Sequence, residues 1–482
     1  MNVNLLLLRK QRSQEQGYNL NNSKLINMSP MKVSRLFLLA ISILLLSNVS
    51  AQTKQSTGSG DWNNAATWTP AGVPISTDNV LIRANHVIDI TSNQACNSLT
   101  VGNGSNAQLR FDSGLFGFGG ARSFTVNGNL VVANGSSFII YSGLTAHELF
   151  VAGDVTNYGT IDFNSGFSFF PFSIGTANIN FVRNGNQNLS GAGVLTRFVA
   201  INVNMGTSQN NIVDVSTSSF DVPAGFLAVT NGTFKYSKST LTNITPFTTS
   251  LTIPSTAGVW MNSAVSTMSL PAGIVVSGKL SNSNGTLSIG DVTNETLLYS
   301  GGTFSFTGGV TNVAGRFNGS AAASVCNFNM SGGSFNVPFV GSNNTTNAPF
   351  QIATAGSQFN MSGGTILINR EGGNTNQDLG YVNLAGSGTV NGGTLQIGSA
   401  TTPGGSTFKI NSTALIPNLV LNNASATASL LTNAITVTNT IRINAGTLNS
   451  NNLGITLGGS WLNQGGTFTP GTSTVTFNST SA

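Results

Sequence analysis

Charge is what this 482-residue chain has least of. Asp, Glu, Lys and Arg make up 7% of it, against roughly a quarter in an ordinary globular domain. Such a chain must cover its surface with Ser, Thr, Asn and backbone, which suits strands better than helices, whose exposed faces draw on Glu, Lys and Arg. The two histidines, His86 and His147, cannot build a His-rich metal centre, and His147-Glu148 has no second His at the spacing of a zinc protease. The two cysteines, Cys96 and Cys326, are too few and too far apart for a disulfide framework and read as inward-facing free thiols. No GxSxG elbow occurs, and the Gly-Gly corners lack the Asp of calcium-binding nonapeptide repeats. No metal ion or cofactor is expected.

The formal charge of +5 misleads. Arg9, Lys10, Arg12, Lys24, Lys32 and Arg35 precede residue 52 with only Glu15 against them, and from Gln52 onward thirteen basic residues balance thirteen acidic ones. Phosphate neutralisation needs clustered Lys and Arg, so a nucleic-acid partner is excluded.

What the chain does have is apolar residues, 39% including 29 Phe, and 57 Gly against 13 Pro. A disordered chain would lack those aliphatic and aromatic residues. They alternate with polar ones. In Phe124-Thr125-Val126-Asn127-Gly128-Asn129-Leu130-Val131-Val132 the pattern predicts Val126, Leu130 and Val132 inside and Val131 outside, with a break at Asn134-Gly135. The breaks recur. Ser300-Gly301-Gly302, Ser331-Gly332-Gly333, Ser362-Gly363-Gly364 and Asn391-Gly392-Gly393 step by 31, 31 and 29 residues, a solenoid period. A longer unit pairs Gly225–Phe234 with Asn439–Leu448, and another pairs Val151–Ile161 with Leu457–Thr467.

Equal short strands after equal glycine turns suit parallel stacking. A sandwich would need antiparallel strands with Greek-key loops, and a propeller its WD or kelch signatures. The expected fold is therefore all-β: an elongated right-handed parallel β-helix of irregular coils with an N-terminal capping segment. Gly, and after it Asn, tolerates the positive-φ corners, and corner Asn can form ladders between coils. At ~4.8 Å per coil, it would run on the order of 70–100 Å.

Lys32 and Arg35 precede the apolar run Leu36–Leu46, and Val49-Ser50-Ala51 offers small residues for a signal peptidase. The run is too short for the ~20 residues of a membrane span. Residues 1–51 are thus read as an extension plus a signal peptide, cleaved after Ala51, with Met31 a candidate true start. Residues 52–105 are read as the cap and first coils, and 106–482 as irregular coils. No transmembrane span is expected in the mature chain.

The most distinctive stretch is Gly58–Ile90. Trp62 and Trp68 precede the turn Gly72-Val73-Pro74, and Asp78-Asn79 leads into the strand Val80-Leu81-Ile82. This opening resembles the eight-glycine extracellular domain family, and the whole mature part resembles adhesin-like secreted β-helix cargo of the type IX route. The resemblance implies export to the outside or outer surface of a Gram-negative bacterium, with surface glycans or other surface proteins as partners. Such cargo ends in a sorting domain, whereas this chain stops within a coil at Thr474–Ala482, so a truncated gene is expected. For Trp62, Trp68, Pro74 and Asp78 two readings stand. They cover the open end of the first coil, as a sheet edge requires, or the indoles form a platform for a sugar.

A glycosidase or lyase needs converging carboxylates. The acids here are scattered and read as turn caps and solvated positions; Asp112, Glu148, Asp154 and Asp162 are the ones to inspect, and Arg370-Glu371 reads as a loop bend. No catalytic residue is expected. The expected function is a structural or adhesive scaffold, with a carbohydrate-binding or polysaccharide-degrading β-helix and a passive spacer of a longer protein as alternatives.

Overall fold

A computed structural model describes residues 51–114, 119–144, 146–164, 175–372, 379–381 and 388–479. The chain divides into Met1–Ser50 and Ala51–Ala482; the signal-peptide expectation and the last three residues lie outside the described part. What is described is all-β: 41 strands in sheets of 35 and six, one short 3-10 turn at Ala65–Thr67, and no α-helix. No helix there is long and apolar enough to cross a membrane.

Apart from one antiparallel pair in the opening module the strands run parallel, and partners lie one to three strands apart along the chain. Lys54, Val80, Leu99, Leu130, Val155, Leu189 and Val215 follow one another across the first face. A second face runs through the strands Gly60–Asp61, Val87–Ile90, Gln108–Asp112, Ser137–Ser142, Thr160–Asp162 and Leu195–Arg197. A third begins with Gln94–Cys96, Ser123–Val126 and His147–Val151. Successive partners on the first face from Val80 onward lie 19 to 34 residues apart, so the loops absorb the irregularity and the strands keep register. Further on, third face and first face fuse into bent strands such as Leu227–Tyr236, which turns at Gly232 (φ 86°).

The inward columns are apolar. Val126, Leu130 and Val132 are fully buried and Val131 is half-buried, as the alternation predicts. Aromatic rings stack from coil to coil: Phe328 lies on Phe359 at 5.4 Å and 6°, and Phe111 on Phe138 at 5.3 Å. Burying each such side chain contributes ~1.5–3 kcal/mol, whereas the ion pairs found among the described residues, all partly exposed, are worth ~0–1 kcal/mol each. The core therefore decides stability. Cys96 and Cys326 are free and buried within it. Burial pushes both thiols up, that of Cys326 to about 12.

Outside, amides link the coils. Asn97 donates to Asn79, Asn202 to Asn180, Asn231 to Asn204, Asn336 to Asn312 and Asn360 to Asn329, all at 2.7–2.9 Å. Each amide satisfies a neighbour one coil away, which pins the register from outside.

One repeat assignment changes. Ser331-Gly332-Gly333 and Ser362-Gly363-Gly364 do align, as do Ser362 and Gly392. Ser300-Gly301-Gly302 does not join them. Phe304 pairs with Phe328 and Val310 with Ser334, so the equivalent of Ser331–Gly333 is Thr307-Gly308-Gly309. Backbone geometry agrees: the second glycine is left-handed at Gly309 (φ 67°), Gly333 (74°), Gly364 (79°) and Gly393 (91°), whereas in the other pair it is the first, Gly301 (88°). A bare Gly-Gly string cannot distinguish a bend inside a strand from a turn before one.

Candidate functional site

The opening module closes on itself. The strand Thr53–Ser56 pairs parallel with Asn79–Ile82 on one side and antiparallel with Trp68–Thr69 on the other. Trp62 is fully buried and Trp68 is 2% exposed. Their rings meet edge to face at 4.9 Å, Trp62 meets Phe124 at 5.0 Å, and the Trp68 indole N–H donates to the Trp62 carbonyl at 2.8 Å. Neither ring offers a free face to a sugar. Pro74 is buried, and Asp78 is 4% exposed and accepts from the backbone N–H of Ile75 (3.0 Å) and Gln52 (3.2 Å), which ties the turn to the first strand. Lys54, in the inward register, gives its ammonium to the carbonyls of Pro70 and Ala71.

The four early acids do not converge. Asp112 accepts from Ser142 and from the N–H of Gly114; Glu148, on another face, takes the amides of Asn178 and Asn180 at 2.7 Å; Asp154 accepts from the N–H of Asn188. Asp162 stands one strand from Arg197, which also pairs with Asp221 at 2.8 Å. Asp89 holds Arg110 through both carboxylate oxygens, which raises the guanidinium further, and Tyr141 covers that cation at 4.3 Å. Among the described residues no three His, Cys, Asp or Glu could hold a metal ion. Arg370 donates to the Phe339 carbonyl and Glu371 accepts from the N–H of Thr407, so these two are loop contacts.

One constellation that sequence reasoning missed looks like hydrolase machinery. Ser113, His147, Ser142 and Asp112 lie together, with Ser113 Oγ 3.4 Å from His147 Nε2. The hydrogen bonds rule out a triad. His147 Nδ1 accepts the Arg122 N–H at 2.9 Å, so the ring proton is on Nε2, aimed at the Ser142 carbonyl at 3.0 Å. A general base needs the opposite tautomer, with its carboxylate on the far nitrogen. Here Asp112 touches Ser142 instead, and both Ser113 and His147 are buried. His147 is a core residue, stacked on Phe111 at 4.8 Å, and burial lowers its pKa.

The other missed feature is Trp260. Val259 and Met261 are fully buried, which turns Trp260 outward, half-buried, on the first face. It stands between Lys235 and Ser281, and its indole N–H donates to Ser283 at 2.8 Å. The indole thus lies across Ser281, whose hydroxyl is buried and without a partner. Lys235 Nζ lies 4.6 Å and Lys279 Nζ 5.8 Å from the ring centroid. Lys235 is also paired with Asp214 at 2.7 Å, whereas Lys279 has no carboxylate partner among the described residues. The same outward column continues through Ser305, Asn329 and Asn360 into an open groove of about 240 Å3 that Met330 and Met361 also line. The alternation in Ala257–Met261 was the available signal.

No protein-family model, no curated protein and no solved structure matches this chain.

Proposed function

We propose that this chain is a right-handed parallel β-helix, exported by a Gram-negative bacterium to its outer surface, that acts as a structural or adhesive scaffold without catalysis of its own. Parallel strands that pair again one to three strands later support the helical path, and crossovers between parallel strands are right-handed in about 98% of cases. The resemblance of the opening to the eight-glycine extracellular domain family, and of the rest to type IX cargo, supports export. The observation that carries the scaffold reading is the separation of Asp112, Glu148, Asp154 and Asp162, each engaged by its own amide, hydroxyl or arginine.

The test is made in cells of the source bacterium. An antibody against the folded protein should label intact cells or the medium, the exported chain should begin at Gln52, and deletion of the gene should reduce attachment to a surface. Retention of the intact chain inside the cell would overturn the export reading, and release of oligosaccharides from a glycan panel by the purified protein would overturn the non-catalytic one.

A further inference from the structure

We propose that the outward face around Trp260 is a binding strip for an acidic polysaccharide, one whose sugars carry carboxylate or sulfate groups. The inference rests on the surface-scaffold reading and names its partner class.

Trp260 is an outward-facing, half-buried indole on this face, tethered by its hydrogen bond to Ser283. With Lys235 Nζ over the ring at 4.6 Å and Lys279 Nζ at 5.8 Å, the partly exposed indole forms an aromatic surface rimmed by ammonium groups, which suits a pyranose that presents both C–H groups and an acid group. The charge beside it sets the class of sugar. Asp214 and Lys235 neutralise each other, so the net charge at the indole is that of Lys279, which meets the ring but no carboxylate among the described residues. A neutral glycan would leave that ammonium to water; an acid group on a stacked sugar would meet it in a partly desolvated position, where an ion pair is stronger than in bulk.

The strip has length as well. From Trp260 the column runs through Ser281 to Ser305, Asn329 and Asn360, one residue per strand. Strands lie ~4.8 Å apart, close to the length of one sugar ring. Beside this column Thr307, Ser331 and Ser362 line the same groove. The amides of Asn329 and Asn360 are committed to the chain itself, Asn360 donating to Asn329 at 2.9 Å and accepting from the N–H of Thr389. The hydroxyls, with the side chain of Asn391, are therefore what the groove offers a ligand, and hydroxyls both donate and accept, as sugar hydroxyls do.

Affinity electrophoresis and titration calorimetry of the purified full chain, with polygalacturonate, a sulfated galactan and neutral dextran, test the proposal. Binding to at least one acidic polymer, weakened by salt, and not to dextran is expected; which acidic polymer binds separates carboxylate from sulfate recognition. Trp260→Ala should weaken binding about tenfold or more, Trp260→Phe less, and Lys279→Gln should weaken it and flatten its salt dependence. Both positions face outward, so unchanged melting temperatures check that the variants fold. Binding equal for wild type and Trp260→Ala, equal binding of dextran, or no binding to any acidic polymer at low salt would each overturn the inference. None of these results bears on export, which is read from cell fractions.

Discussion

Within the strand Leu130–Val132, Val132 sits fully buried between Val101 and Asn157 while its neighbour Val131 points away. A carboxylate at 132 would be buried unpaired, at a cost of several kcal/mol. Val132→Asp should abolish soluble expression, and Val131→Asp should melt within a few degrees of wild type; thermal melts of the two proteins check this. His147 gives the residue-scale pH dependence. Burial lowers its folded pKa below the ~6.5 of the unfolded chain. Above ~6.5 both states are neutral and the full stability is present. As pH falls below that value the unfolded state takes up a proton the folded state refuses. Stability then declines by up to about 1.4 kcal/mol per pH unit until the folded pKa is reached. Urea melts at about pH 8 and about pH 5 should show this loss, and His147→Gln should reduce it. The pairing of Nδ1 with the Arg122 N–H, which makes His147 structural, was not visible in the sequence because His147 and Arg122 meet only across two adjacent coils.

At the scale of the element, the bent strands Thr303–Val313, Asn327–Val337 and Gln358–Ile368 share one burial pattern from their second residue on, and one glycine bend. At Gly333 (φ 74°) an added Cβ would meet the Gly309 carbonyl oxygen at 2.5 Å, so both backbone strain and contact oppose a side chain. At Gly301 (φ 88°) an added Cβ would have open space, leaving only the strain of positive φ, about 1 kcal/mol. Gly333→Ala should therefore destabilise clearly more than Gly301→Ala, as differences in denaturation midpoint will register. The comparison also tests the register of the repeat, since matching the Ser-Gly-Gly strings alone makes Gly301 equivalent to Gly332 and Gly302 equivalent to Gly333. The spacing was legible in the sequence. The register was not, because it is set by which Phe and Val columns meet, Phe304 on Phe328 and Phe306 on Met330.

At the scale of the whole described unit, each strand pairs only with the strands before and after it on its face, so destabilisation should stay local. Trp62 seals the first coils through Trp68 and Phe124. Trp62→Ala removes a fully buried indole, a loss of about 3–5 kcal/mol. Hydrogen exchange followed by mass spectrometry should show faster exchange in Thr53–Ser56 and Asn79–Ile82 and unchanged protection in Ile435–Asn449. A uniform increase along the chain would show that the coils unfold as one unit. The sequence by itself determined the strand alternation, the parallel repeat, the burial of both cysteines and the absence of clustered charge, because these follow from local pattern and composition. Only the tertiary structure decided that Trp62 and Trp68 turn inward, that Trp260 turns outward beside Lys279, and that Asp112, Glu148, Asp154 and Asp162 stand apart. The physical reason is the variable coil. Loops that let in-register partners lie 19 to 34 residues apart leave each strand's own pattern intact but hide which side chains share a face.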